Sequence, residues 1–313
     1  MMGNKPLVLI TGGRGMVGRN ILEHPMAEHY DFLSPTSVDL DLCDFVKAQN
    51  YISNYSPEFI IHTAGLVGGI QANMARPVDF LLQNLDLGRN VILAARNASV
   101  KKLLNLSSSC MYPRNVTNPL TEDLILKGEL EPTNEGYALA KILAMRLCDY
   151  IQREDDSFKY KTFIPCNLFG RFDKFDPRHS HLIPAIIHKV HRAKVADEGV
   201  VEVWGDGTAR REFMYVGDLA DAVFRALDHF DAVPSLMNVG LGFDYSINEY
   251  YETVAKVIGW DGEFSHDLAR PVGMKQKLVS VARQKEWGWG ASTSLEDGIA
   301  KAYDYYLEVS NEF

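Results

Sequence analysis

Tyr137-Ala138-Leu139-Ala140-Lys141 sets a phenol and an ammonium four residues apart. On a helix that spacing puts both side chains on one face, one turn apart. The cation then stabilises a phenolate and lowers the phenol's pKa toward the range of a general acid–base. With 14 tyrosines in the chain, about one such spacing arises by chance, so the pair needs support. Ser108 supplies some, because it follows the apolar run Leu103–Leu106 and is placed to hold a carbonyl oxygen. Further support comes from Thr11-Gly12-Gly13-Arg14-Gly15-Met16-Val17-Gly18, which follows the first apolar run. Glycines there allow a tight turn and close approach of backbone to a pyrophosphate, which sits on the start of the next helix. Together the three features predict a dinucleotide-dependent reduction of a carbonyl.

The choice between NAD and NADP falls beyond the second strand, where an acid binds the ribose 2′-hydroxyl. Here Tyr30–Leu33 runs into Ser34-Pro35-Thr36-Ser37 with no carboxylate at its tip. Arg14 in the glycine loop is placed to meet a 2′-phosphate, so the expected cofactor is NADP(H). Asp41 and Asp44 lie farther on, either touching the adenine or capping a helix.

These residues need a frame. Leu7–Ile10, Phe59–His62, Leu103–Leu106 and Thr162–Pro165 are short, apolar and non-alternating, as suits strands buried on both faces of a parallel sheet. Helix-length segments near 17–27, 71–98 and 137–153 separate them. The order predicts an α/β, Rossmann-type doubly wound sheet with its ligand beyond the strands' carboxyl ends. Residues 170–180 read as a loop, followed by helices near 181–194, 217–230, 246–258 and 294–309. The expected division is a cofactor domain over 1–170, completed by segments near 213–241, and a smaller mixed α/β substrate lobe over 171–313.

Composition excludes other classes. The 313 residues are 46% hydrophobic and 23% charged, which argues against disorder. A net charge of −9 repels phosphate backbones, so no nucleic-acid partner is expected. Apolar runs are too short for a bilayer span, and a strand-like run starts within six residues, so a soluble cytoplasmic protein is expected. Four scattered cysteines form neither a disulfide framework nor a zinc site. Cys43, Cys148 and Cys166 read as buried small hydrophobes. His188 and His191 share a helix face but lack a third ligand; a solvated face is expected and no metal.

The glycine loop, Ser108-Ser109-Cys110-Met111-Tyr112-Pro113 and Tyr137–Lys141 resemble the extended short-chain dehydrogenase/reductases that act on nucleotide sugars. Within them the chain resembles the GDP-L-fucose synthase family. The residues that carry this are Gly65–Ile70, Glu131–Glu135, Cys166–Gly170, Ser180–Ala185, Val203–Thr208 and Arg211-Glu212-Phe213. The resemblance implies Ser108, Tyr137 and Lys141 as the reductase triad and Cys110 with His181 as the epimerising pair. A C4 ketone acidifies the protons on C3 and C5, so one acid–base pair beside the ring serves both centres. It further implies cofactor contacts from Gly12, Gly13, Arg14, Gly15, Met16, Val17, Gly18, Ser37, Asp41, Leu42, Ala64, Gly65, Leu106, Ser107, Lys141, Pro165, Asn167, Leu168 and His181. Substrate contacts are implied for Ser108, Ser109, Asn167, Lys189, Trp204, Arg211 and Lys277, with Trp204 at the base and Arg211 at the diphosphate.

The chain departs from the family pattern at Lys189 and Ser37, where arginine is usual, and at Val272 and Ser280, where aspartate is. The implied activity is C3/C5 epimerisation and NADPH reduction of a GDP-4-keto-6-deoxy-mannose-type sugar to a GDP-L-sugar such as GDP-L-fucose. Alternatives on the same scaffold are a colitose-type or 6-deoxy-heptose substrate, or reduction without epimerisation. A non-catalytic dinucleotide sensor is the rival of another class; it would need only the glycine loop. A homodimer is implied through a four-helix interface from the segments near 71–98 and 137–153.

Overall fold

A computed structural model describes residues 5–176, 180–270 and 274–310. The first half builds β1 (Leu7–Thr11), α1 (Met16–Leu22), β2 (Asp31–Leu33), α2 (Phe45–Tyr55), β3 (Phe59–His62), α3 (Ile70–Ala75), α4 (Pro77–Asn97), β4 (Lys102–Leu106), α5 (Glu135–Glu154) and β5 (Lys159–Pro165). Then follow β6 (Asn167–Phe169), α6 (Leu182–Val195), β7 (Val200–Trp204), β8 (Arg210–Arg211), β9 (Phe213–Tyr215), α7 (Val216–Asp228) and β10 (Leu236–Val239). The chain closes with β11 (Tyr245–Ser246), α8 (Ile247–Ile258), β12 (Glu263–Asp267), β13 (Gln276–Lys277), α9 (Ala282–Glu286) and α10 (Leu295–Val309).

Six parallel strands form the main sheet in the order β10-β5-β4-β3-β1-β2. Strand side chains alternate between faces, and here both faces are covered. Val8 and Ile10 enter the core shared with α7, whereas Leu9 enters the core shared with α2 and α4. Ile61 and Ile60 divide in the same way, as do Leu104 and Leu103. This explains the unbroken apolar runs. Strand order reverses about β1, which has β2 on one side and β3 on the other, so a crevice opens at the carboxyl ends of β1 and β3.

The second lobe is built on its own core of Ile183, Ile187, Val203, Tyr250, Val254 and Ile299. β7 pairs with β12, β8 lies between β11 and β13, and β6 pairs with β9. These late strands are two to five residues long, and β7 alternates exposed and buried positions along its length.

Three helix boundaries differ from expectation. The first helix stops at Leu22, and Pro25 opens a separate 3-10 turn over Pro25–His29. The segment near 71–98 divides at Arg76, because Pro77 supplies no N–H and pushes the preceding residue out of the helical region. A helix precedes β3 that periodicity had not marked: the Asp44 carboxylate caps α2 by accepting the Val46 and Lys47 N–H groups at 3.0 and 3.1 Å. Asp44 is thus a cap. Among the described residues no helix is long and apolar enough to cross a membrane.

Candidate active site

The glycine turn is a close-packed backbone feature. Gly12 has φ +74° and its carbonyl accepts the Gly15 N–H at 3.0 Å. A Cβ on Gly12 would lie 2.8 Å from the Ala64 backbone; one on Gly13 would lie 2.0 Å from Ser34 Oγ, and one on Gly18 would lie 2.4 Å from Gly12 O. The turn is therefore held to glycine by contact with β3, with the β2 tip and with itself. Gly15 N-caps α1 with no side chain on its first N–H groups, and Met16 and Val17 follow. Thr11 Oγ1 and His62 Nδ1 share a 2.8 Å hydrogen bond across the β1–β3 crevice, and Thr63 Oγ1 donates to Thr11 O at 2.6 Å. Burial, aided by Lys141, drops His62 to about 3, so its imidazole is neutral. The cradle fits the dinucleotide that the motif predicts.

Beyond β2 the chain folds back. Asp39 lies in the field of the exposed Arg14, and its carboxyl is held below the usual range first by the Thr36 backbone N–H, then by the Thr36 hydroxyl and by Arg14. Sequence reasoning passed over Asp39 because it looked only at the strand tip. Ser37 is exposed, Leu42 is buried, and Asp41 Oδ1 accepts the Cys43 N–H at 3.0 Å. Cys43 itself is partly exposed, unlike the buried Cys148 and Cys166, because it sits in this turn and not under the sheet.

Ala64 and Gly65 leave β3 beneath Asn84, whose amide accepts the Leu66 N–H at 2.9 Å and donates to Leu66 O at 3.1 Å. No motif pointed to Asn84, yet it fastens this loop to α4. At the end of β4, Ser107 N–H donates to Phe163 O at 2.8 Å, and its hydroxyl turns to Met111 Sδ at 3.0 Å. Ser108 Oγ accepts the Cys110 N–H at 3.3 Å, which sets the short turn carrying Ser109 and Cys110. Lys141 Nζ donates to Leu106 O at 3.1 Å and sits 5.8 Å from the centre of the Tyr137 ring.

The protonation states differ from the sequence expectation in one respect. Tyr137 is not lowered: burial pushes its phenol up, and Cys110 adds to that. Burial brings Lys141 down to about 8. In the free protein Tyr137 is therefore a protonated phenol, the form that gives a proton to a developing alkoxide. Burial also pushes the Cys110 thiol up, against Lys277, Ser108 and Lys141, which pull it down. His181 N-caps α6 and is lowered by burial and then by Lys174, so it stays neutral. The Cys110 thiol keeps its proton, and the His181 imidazole keeps a free lone pair.

The structure groups Ser108, Cys110, Tyr137, Lys141 and Lys277 by these interactions. His181 opens α6 in the other lobe, and the neighbouring Ser180 carbonyl oxygen is 4.0 Å from a Cβ built on Gly69. Pro165, Asn167 and Leu168 lie on β5 and β6, with Asn167 Nδ2 donating to Glu212 O at 2.9 Å. Lys277 on β13 is the register partner of Arg211 on β8. Burial lowers the Lys277 ammonium, with Cys110 and Glu131 among the charges around it. Arg211 donates to Arg210 O at 2.7 Å. Trp204 is 49% exposed, donates to Glu202 Oε1 at 3.0 Å, and carries the Arg270 guanidinium 4.8 Å from its ring centre. Lys189 donates to the Glu202 carbonyl. Ser280 N–H donates to Leu120 O at 2.9 Å; Val272 falls outside the described residues.

His188 and His191 are not on a solvated face. They contact the Tyr306 and Tyr303 hydroxyls at 3.1 and 2.9 Å, which packs α6 against α10. Among the described residues no three His, Cys, Asp or Glu side chains gather as a metal site.

A doubly wound sheet, a glycine turn at its crevice and a Ser/Tyr/Lys group on the adjoining strand and helix define a dinucleotide-dependent enzyme. Residues 8–240 match the model of the NAD dependent epimerase/dehydratase family, and the chain belongs to that family. It is 51% identical over 304 residues to a GDP-L-colitose synthase of Yersinia pseudotuberculosis, covering 97% of this chain and 99% of that one. It is 49% identical over 306 residues to a GDP-L-fucose synthase of Azorhizobium caulinodans, covering 98% of each. Among solved structures, a GDP-mannoheptose C4 reductase from Campylobacter jejuni with NADP bound superposes with a TM-score of 0.89 at 29% identity, over 98% of this chain and 99% of that one.

Proposed function

We propose that the chain is an NADPH-dependent epimerase/reductase of a GDP-linked 4-keto-6-deoxy sugar, yielding a GDP-L-sugar such as GDP-L-fucose. The observation that carries this is the Tyr137 phenol, kept protonated beside the Lys141 ammonium, on the same strand-end cluster as Ser108 and Cys110. A cofactor sensor would need none of these groups. NADPH, when bound, supplies the hydride that reduces C4. Gly12, Gly13 and Gly18 let the turn close tightly so that the start of α1 meets its pyrophosphate, Arg14 faces the 2′-phosphate, and Lys141 holds the ribose.

Ser108 donates a hydrogen bond to the C4 oxygen, and Tyr137 gives it a proton. Lys141, anchored on Leu106 O, balances the phenolate that remains. Before reduction, Cys110 and His181 remove and return protons at the carbons flanking C4, whose enolate the same oxygen-binding groups stabilise. Arg211 and Lys277 hold the diphosphate, with Lys189 beside it, and Trp204 packs on the base. Ser109 and Asn167 line the sugar.

A second reading keeps this chemistry on a 3,6-dideoxy sugar; the 51% identity to a protein named as a colitose synthase favours it. The test supplies NADPH with GDP-4-keto-6-deoxy-mannose or its 3-deoxy analogue, follows the loss of NADPH absorbance and identifies the product. Turnover of neither ketone would reject both readings.

We further assign residues 1–170, with 213–241, to cofactor binding and 171–313 mainly to the sugar. The chain works as a homodimer through α4 and α5: Val78 and Leu82 on one, Leu139, Leu143 and Tyr150 on the other, are 41–64% exposed along these two packed helices. The cytoplasm is its place, since all four cysteines are free thiols.

A further inference from the structure

Glu212 separates Arg211, the last residue of β8, from Phe213, the first of β9. Its side chain is 1% exposed. Oε1 accepts the Leu241 and Gly242 N–H groups at 2.7 and 2.9 Å, and Oε2 accepts the Val279 N–H at 2.8 Å. Among the described residues no cation pairs with it, and a carboxylate held by three backbone donors alone is an unusual thing to bury, since desolvation works against it. Burial raises it to about 7, with Asp244 adding to the rise and the three N–H groups opposing it. Arg210, two residues before it, is taken by Asp244 at 2.6 Å and Glu249 at 3.4 Å.

The surroundings are shaped to this carboxylate. A Cβ on Gly240 would lie 2.5 Å from Glu212 Oε1 and 2.7 Å from Val279 Cγ2, so a side chain there would drive the contact apart. Gln284 fixes Gly240 from behind, accepting its N–H at 2.8 Å and donating to its carbonyl at 3.0 Å. Asn167 binds the Glu212 carbonyl, and Leu278 N–H donates to Asn118 Oδ1 at 2.8 Å. Four separate stretches of chain thus meet around one side chain: the end of β5–β6, the β8–β9 junction, the loop after β10 and the strand after residue 274.

Two cations ride on these stretches, and one of them, Lys277, lies in the field of Cys110. Lys277 lies two positions before Val279 and opposite Arg211 in the β8–β13 register. We propose that Glu212 is a positioning residue for nucleotide-sugar binding: by gripping Val279 it locks β13 against β8 and holds Arg211 and Lys277 as a fixed pair of cations for the diphosphate. This rests on the reading that these two residues hold the substrate's diphosphate. Glu212 touches neither substrate nor cofactor; it acts through the backbone that carries its neighbours.

The variant Glu212→Gln keeps shape and one carbonyl acceptor but turns an NH2 toward an N–H group. Titration of the intact protein with GDP, and separately with NADPH, is combined with steady-state kinetics on GDP-4-keto-6-deoxy-mannose. The expected result is that GDP affinity falls and the sugar KM rises by about tenfold, the worth of one hydrogen bond to a charged acceptor, while kcat and NADPH affinity hold. Unchanged GDP affinity and KM would overturn the proposal, as would a parallel loss of kcat, NADPH affinity and melting temperature, which marks a merely structural role. A wild-type protein that binds NADPH but not GDP would sink the diphosphate reading itself. Should Glu212→Gln not fold, Gly240→Ala carries the same test, because its Cβ displaces the carboxylate without removing it.

Discussion

Lys141 Nζ donates a 3.1 Å hydrogen bond to the carbonyl oxygen of Leu106, the last residue of β4. One contact thereby fixes the register of α5 against the strand that delivers Ser108 and Cys110. The ammonium cannot swing out to water, and Tyr137, one helical turn earlier, is held with it.

Replacing Tyr137 by Phe removes the proton donor and leaves the ring's packing. Ketone reduction should fall by roughly 10²–10⁴, the usual worth of a positioned acid, with NADPH binding retained. Stopped-flow turnover near the wild-type rate would show that the proton comes from elsewhere.

Lys141, brought down to about 8 from the ordinary 10.5 by burial, gives the reaction an alkaline limb. Reductive kcat/KM should decline above pH 8 as the ammonium loses its proton. The same displacement has a signed effect on stability. Between pH 8 and 10.5 the unfolded chain binds the proton that the folded chain has shed, so stability rises with pH across that window. Below pH 8 the buried charge disfavours the fold by about 3 kcal/mol. Lys141→Met should therefore raise the melting temperature at pH 7 while abolishing reduction; a lower melting temperature would contradict the burial argument.

Cys110→Ser separates the two half-reactions. In D₂O without NADPH, the wild-type protein should place deuterium at C5 of the keto sugar, and at C3 where C3 bears a hydroxyl. The serine variant should suppress that exchange, since an alcohol is a far poorer acid–base than a thiol. Reduction should continue, because Tyr137 and Lys141 are untouched. Mass spectrometry showing no wash-in by the wild type would make the protein a plain reductase.

Asp39 lies in the field of Arg14, the residue proposed to meet the 2′-phosphate. Its negative charge would oppose a phosphate brought to Arg14. Asp39→Asn should tighten NADPH, by removing a negative charge near the phosphate, while NADH changes little. Arg14→Ala should narrow the NADPH-over-NADH preference. Equal wild-type affinities for the two cofactors would remove Arg14 from this role.

The proposed homodimer is checked by light scattering, where a particle of the 35.2 kDa chain mass would reject it. Leu143→Glu on the exposed face of α5 should yield that monomer with its secondary structure intact.

Much of the site was legible because its signals are local. The glycine spacing, the apolar strands and the four-residue step from Tyr137 to Lys141 each declare themselves within one turn or one strand. Helix ends were less legible where proline intervened, at Pro25 and Pro77, and most strands of the second lobe are two or three residues long, too short to show a period. Their partners lie far along the chain, as with Lys277 and Arg211.

The sequence by itself determined which chemical groups are present and which helix or strand carries most of them, because backbone periodicity and glycine's steric freedom act between near neighbours. Only the tertiary structure decided what those groups are in water's absence. Burial raised the Tyr137 phenol that a neighbouring lysine was expected to lower, and folding brought Asp39 to Arg14, Lys277 to Cys110 and Glu212 to three distant N–H groups. Desolvation is a property of everything around a group, and no local spacing contains it.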